Sequence, residues 1–198
     1  MGNERGRPRR PETDAAILDA TIELLREAGY GGMSIEAVAA RAGVTRPTVY
    51  RRWPDKAHLV IDALSRAVPV APAPDTGDTR TDLRLVAHGL VDRLVRTGVA
   101  PVVLALHADS IGREELAGPL RELYLRPRLG TITDVVARGI ARGDLPPGTS
   151  PAVARDLIAG PLVYRGLVTG DLTDADVDEL LDAAWRALTS PSGPAAPA

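Results

Sequence analysis

Cysteine is absent from this chain of 198 residues, and its absence excludes disulfides, thiolate metal sites, iron–sulfur clusters and a cysteine nucleophile. Phenylalanine is absent as well, and aromatic residues amount to only 3 %, so aliphatic side chains must fill the core and line any pocket. Long apolar runs are missing: the longest, Val99 to Leu106, falls far short of the roughly 20 residues that a membrane-spanning helix needs. A dominant charge is missing too. Lys plus Arg number 24 and Asp plus Glu 26, a net of −2, so the molecule is no polycation and any contact with nucleic acid must rest on a local arrangement. Arg5, Arg7, Arg9 and Arg10 stand near the start without an apolar segment after them, which is not the pattern of a secretory signal. The expectation is a cytoplasmic protein with no membrane partner.

The balance of charge shifts along the chain. Up to Arg66 there are 11 basic and 9 acidic residues, and beyond it 13 basic and 17 acidic, so a polyanion would be met by the first third. Residues 1–11 are arginine-rich with almost no apolar side chain and read as a disordered basic arm. A helix capped by Thr13 or Asp14 follows, with Ile17, Ala20, Thr21, Leu24, Leu25 and Ala28 on one face and Gly29 as its stop. Ser34 is placed to cap a second helix that runs to Gly43, Thr45 starts a third with Pro47 in its first turn, and Asp55 caps a fourth. Residues 12–66 thus form one helical domain. The three prolines of 67–79 make a connector, 80–189 a second helical domain, and 190–198 a disordered tail. In the second domain, the segment from Glu115 to Arg142 is interruptible at Pro127, and Ala152 to Val168 is expected to kink at Gly160-Pro161. No strand pattern is present, and the fold class is all-α.

Ser34 to Lys56 is the informative stretch. Ala39 is small where two helices would approach, Gly43 can take positive φ in the turn, and Val49 returns an apolar side chain to the core. That spacing fits a helix-turn-helix and also an ordinary helical hairpin. The outer face of the third helix offers Thr45, Arg46, Thr48, Arg51 and Arg52, with no compensating acid before Asp55, a set suited to phosphates and base edges or, alternatively, to a solvated face.

The whole stretch, Gly29-Tyr30, Ser34, Val38-Ala39, Ala42-Gly43-Val44, Val49-Tyr50, Trp53, Lys56 and Leu59, resembles the DNA-binding domain of tetracycline-repressor-like (TetR family) regulators. The resemblance implies an N-terminal three-helix helix-turn-helix domain and a C-terminal helical effector-binding and dimerisation domain. It further implies that Ser34 contacts phosphate, that Thr45, Arg46, Pro47, Thr48 and Arg51 face the groove, and that Tyr50, Arg52 and Lys56 mainly hold the DNA backbone. Trp53, where the family more often has Phe, should pack between the third and fourth helices. The partners implied are a near-palindromic double-stranded operator, a second copy of the chain and a small effector that releases a repressor.

For the C-terminal part, His107 and Tyr124 are the candidate pocket residues, and Leu157, Leu162, Val177, Leu181 and Trp185 the candidate dimer face. An aliphatic pocket would favour a largely apolar effector. No cofactor, metal site or catalytic residue is expected, since Gly-rich phosphate loops, His-Glu-x-x-His and Gly-x-Ser-x-Gly are all lacking. The cluster Asp171, Asp174, Asp176, Asp178 and Glu179 reads as the cap and first turn of a helix. A helical adaptor without DNA binding, or less readily a small-molecule enzyme, is the alternative reading.

Overall fold

The fold was analysed in a computed structural model that describes residues 11–93, 97 and 99–190. The basic arm before Pro11, Leu94 and the tail beyond Ser190 lie outside the described residues. Among the described residues the regular structure is α-helix with wide π-type turns, and there is no strand.

Helix α1 spans Pro11–Gly32 and opens on proline, earlier than the Thr13 or Asp14 cap that the sequence suggested. Ile17, Leu24 and Leu25 are buried on its inner face, whereas Ala28 is exposed. Gly29, at φ 66° and ψ 178°, breaks the helix in a conformation essentially reserved for glycine. Helices α2 (Ile35–Arg41), α3 (Arg46–Tyr50) and α4 (Lys56–Ala67) follow at tight turns. The Ser34 hydroxyl accepts from the Ala37 N–H at 3.1 Å, and the Asp55 carboxylate accepts from the His58 N–H at 2.9 Å, so both expected caps form. Thr45 stands at the α3 N-cap without a side-chain cap bond and instead pairs its hydroxyl with that of Thr48 at 3.0 Å. Val38, Val49, Leu59 and Leu64 are wholly buried, and the Trp53 indole, itself buried, donates to Asp62 of α4 at 2.8 Å.

The chain divides into two compact units, and the division is not a simple cut. The first contains residues up to Ala67 together with Val102–Tyr124, and the second Val68–Pro101 with the remainder from Leu125. Most of α6 (Ala100–Ser110) and all of α7 (Glu114–Pro119) therefore belong with the helix-turn-helix, where α7 packs on α4.

In the second unit α5 (Thr79–Val91), α8 (Arg126–Arg142), α9 (Pro151–Tyr164) and α10 (Asp174–Thr189) surround an aliphatic core of Leu83, Val135, Val136, Ile158, Leu162, Val177 and Leu181. Thr79 and Gly139 set the α5–α8 approach: a Cβ added at Gly139 would lie 2.5 Å from the Thr79 hydroxyl. The connector is fastened by arginines of α8, with Arg128 donating to the Val68 carbonyl, Arg138 to that of Pro74, and Arg142 to the Asp75 carboxylate at 2.9 Å. The chain does not break at Pro127, which enters α8 in its first turn, and the winding widens just before it, in the π-type turn Leu120–Leu125. Helix α9 continues through Pro161, and its irregularity falls later, at the π-type turn Arg165–Thr169. The acidic cluster begins α10 as expected: Thr173 and Asp176 cap each other reciprocally.

Candidate nucleic-acid interface

The candidate surface is built on a short helix with one buried anchor. Val49 is fully buried and fixes the rotation of α3, which turns Thr45, Arg46, Pro47, Tyr50 and Arg51 outward. Thr48 is half-buried beside them and accepts from Arg51 at 3.1 Å. Gly43 takes φ 65° in the turn before α3, which a side chain would strain, and Ala39 is buried where α2 meets α3. Ser34 is exposed at the start of α2 and shares an open cleft with Glu36, Tyr50, Asp55 and Lys56.

Electrostatics corrects one expectation. Arg46 of α3 and Arg52 just beyond it do have compensating acids, supplied from other helices. Glu36 of α2 accepts from Arg46 at 2.7 Å, and Asp14 of α1 accepts from Arg52, which also donates to the Thr48 carbonyl at 3.0 Å. The Arg46 guanidinium further donates to the Tyr50 hydroxyl at 3.3 Å and lies 5.2 Å above the ring. Glu36 and Asp14 stand 10 and 38 residues from their partners, and no local pattern in the sequence connects them.

Lys56 has a task that sequence reasoning missed. Its ammonium donates to the carbonyls of Tyr30 at 2.7 Å and Met33 at 3.1 Å and sits 4.1 Å over the Tyr30 ring, tying α4 to the turn between α1 and α2. Burial holds this ammonium below the ordinary lysine value, Arg113 pushes the same way, and Asp109 opposes them. Burial likewise raises the Tyr30 phenol, with Asp55 and Glu115 adding to the effect. The Tyr30 N–H donates to Asp109 of α6 at 3.2 Å. Two of the ammonium's three donors are thus committed to backbone carbonyls.

Known proteins resemble this chain over most of its length. Residues 17–63 match the family described as bacterial regulatory proteins, tetR family, and residues 73–184 match the tetracyclin repressor-like C-terminal domain. The chain belongs to the TetR family. It is 34 % identical to the HTH-type transcriptional regulator YdeS of Bacillus subtilis, over 97 % of this chain and 98 % of the relative. It is 30 % identical to the DNA-binding transcriptional repressor TetR of Mycobacteroides abscessus, over 89 % and 94 %. The crystal structure of the TetR family transcription regulator SCO0332 superposes with a TM-score of 0.67 at 27 % identity, covering 88 % of this chain and 97 % of that one.

The C-terminal candidates of this TetR-family chain separate into different settings. His107 is half-buried and Tyr124 almost wholly buried, and both lie in the unit that carries the helix-turn-helix. Burial lowers the His107 imidazole from its ordinary value. Leu162, Val177 and Leu181 fill the core of their own unit, where they have no surface left to offer a partner, and Trp185 packs half-buried on that core. Leu157 is exposed, together with Val153, Tyr164 and Val168. Helical phase places these four on one side of α9 and the turn that follows.

Proposed function

We propose that this chain is a homodimeric repressor that reads a near-palindromic operator through α3 and leaves it when a largely apolar small molecule binds. The observation that carries the reading is the outward set Thr45, Arg46, Pro47, Tyr50 and Arg51 opposite the buried Val49, because it presents hydroxyls and guanidinium groups on a helix whose rotation is fixed. Arg46 and Arg51 are the base readers. Ser34 and Tyr50 meet the sugar-phosphate backbone, with Arg52 and the remaining donor of Lys56 adding to that contact. The Mycobacteroides abscessus relative, named a repressor, supports the sign of regulation. A role on chromosomal DNA puts the protein in the cytoplasm, and it acts by binding, without catalysis.

The dimer face is Val153, Leu157, Tyr164 and Val168 rather than the buried residues of α9 and α10. These exposed apolar groups share one side, which a second copy can cover in an isologous contact. The effector site draws on His107 and Tyr124 among aliphatic neighbours. Within the first unit α7 packs on α4 and Asp109 holds Tyr30, so a ligand that shifts the α6–α7 segment acts directly on the helix-turn-helix. The coupling is reciprocal: an effector that weakens operator binding about a hundredfold binds the operator complex about a hundredfold more weakly itself.

Selection of duplexes from a random pool, followed by footprinting, tests the reading. The expected site has two related half-sites about 34–36 Å apart or a multiple of that spacing. One asymmetric half-site bound at full affinity by a monomer would contradict it.

A further inference from the structure

The helix-turn-helix domain is not itself cationic. Residues 11–66 hold seven Arg and Lys against eight Asp and Glu, a net of −1, whereas residues 1–10 hold four Arg against one Glu, a net of +3. Carboxylates of the same domain also lie against its cations: Glu36 against Arg46 at 2.7 Å, Asp14 against Arg52, Glu27 against Arg41 at 2.6 Å and Asp19 against Arg66 at 3.4 Å. A duplex carries one negative charge per ~1.7 Å of its axis, and affinity for it grows with each phosphate that a cation neutralises. The surplus of positive charge in this part of the chain stands in residues 1–10. Their point of attachment is held at the end of α3. Asp14, in the first turn of α1, accepts from Arg52, which also donates to the Thr48 carbonyl at 3.0 Å, and the Ala15 carbonyl accepts from Arg66 of α4 at 3.0 Å. Residues 1–10 therefore join the domain at Pro11, within one helical turn of the carboxylate that is tied to the end of α3.

The order of these residues carries chemistry of its own. Arg5-Gly6-Arg7-Pro8 sets two guanidinium groups on either side of a residue without a Cβ. Gly6 lets the backbone approach a groove floor closely, and Pro8 has no N–H to leave unsatisfied and disfavours helical backbone at Arg7. The minor groove of A·T-rich DNA is narrow, strongly negative and attractive to arginine, whereas a G·C pair adds an amino group to its floor. Four to six residues separate Arg7 and Arg5 from Pro11, a reach of about 13–20 Å when extended. Half a turn of duplex, ~17 Å, separates a major-groove site from the minor groove beside it.

We infer that Arg5 and Arg7 enter the minor groove adjoining each half-site, at A·T base pairs, while Arg9 and Arg10 meet the phosphates between that groove and α3. The inference rests on the reading of α3 as the DNA-reading helix. It gives the chain a second recognition element, which reads the flanks of the operator while α3 reads its half-sites.

The test uses the full-length wild type and two double variants, Arg5→Gln/Arg7→Gln and Arg9→Gln/Arg10→Gln, across a salt series. The duplex is the selected operator with the base pairs adjoining each half-site made A·T, G·C or inosine·C. Inosine·C shows the edge of G·C in the major groove but lacks the amino group in the minor groove. The wild type should bind the A·T and inosine·C flanks alike, and about fivefold or more tightly than the G·C flanks. Arg5→Gln/Arg7→Gln should lose that preference. Arg9→Gln/Arg10→Gln should keep it and weaken all three duplexes by similar factors. In each variant the salt dependence should flatten by about two to four released counter-ions for the dimer. Unchanged affinity and salt dependence in both variants would overturn the inference. Equal wild-type binding to all three flanks would also overturn it, by reducing residues 1–10 to a tether on phosphates, and inosine·C behaving like G·C would do so by moving the contact to the major groove. The two readings fail separately: Arg46→Ala with the wild-type preference inside each half-site would strike the assignment of α3, whereas the flanks report on residues 1–10.

Discussion

Arginine does opposite work in the two units. In the first unit Arg46 meets Glu36 at the surface, with both side chains half exposed and open to solvent. In the second unit Arg142 donates to Thr79 at 2.8 Å, to Asp75 at 2.9 Å and to the wholly buried Asp82 at 3.4 Å, while Asp82 also accepts from the Thr76 N–H and hydroxyl, both at 2.8 Å. Asp75 is open to solvent, but Thr79 and Asp82 are wholly buried, and solvent cannot replace them. The contrast teaches that the burial of its partner, rather than the arginine itself, decides whether a guanidinium stays open to exchange or fastens the fold.

Removing a buried fastener should have the largest effect. Asp82→Ala removes a wholly buried carboxylate, leaves the Thr76 N–H and part of the Arg142 guanidinium without that acceptor at a part-buried site, and should lower the unfolding free energy by about 1–3 kcal/mol. Urea denaturation would register it. A loss within experimental scatter would erase the distinction between the units.

Lys56 sharpens the comparison, because it is a fastener inside the first unit. Lys56→Ala removes the ties to the Tyr30 and Met33 carbonyls and should cost about 1–2 kcal/mol, discounted for its partial exposure. It should also weaken operator and random duplexes by similar factors. Denaturation combined with binding to both duplexes checks this. Weaker binding with unchanged stability would return Lys56 to a purely phosphate-holding role.

The smallest effect concerns pH. Burial depresses the His107 imidazole, so the unfolded chain takes up a proton at a higher pH than the folded one. The stability is complete above the unfolded value near 6.5 and is lost as pH falls from there through the folded value, no more steeply than one proton allows. His107→Gln should flatten that part of the stability profile in thermal melts. An identical profile in the variant would show that burial of this imidazole does not matter to the fold.

What could be read in the sequence was local. The Ser34 and Asp55 caps, the Gly43 turn, the anchor Val49 and the Thr173 cap each depend on neighbours within a few residues, and each appears in the structure. Sequence separation concealed the rest. Asp14 meets Arg52 across 38 positions and Lys56 meets Tyr30 across 26, distances at which no periodicity operates. Apolar spacing also announces a buried face without naming its partner, which is why Leu162, Val177 and Leu181, expected at a dimer face, fill their own unit instead. Nor could it show that Val102–Tyr124 packs with the helix-turn-helix rather than with the helices that precede and follow it in the chain.

The most direct measurement is the operator affinity of Arg46→Ala set beside its unfolding midpoint. An exposed reading group should leave the midpoint where it is, lower operator affinity roughly ten- to a hundredfold, and relax base preference at one equivalent position in each half-site. A variant that unfolds earlier yet selects the same operator sequence with undiminished affinity would contradict the account at its centre.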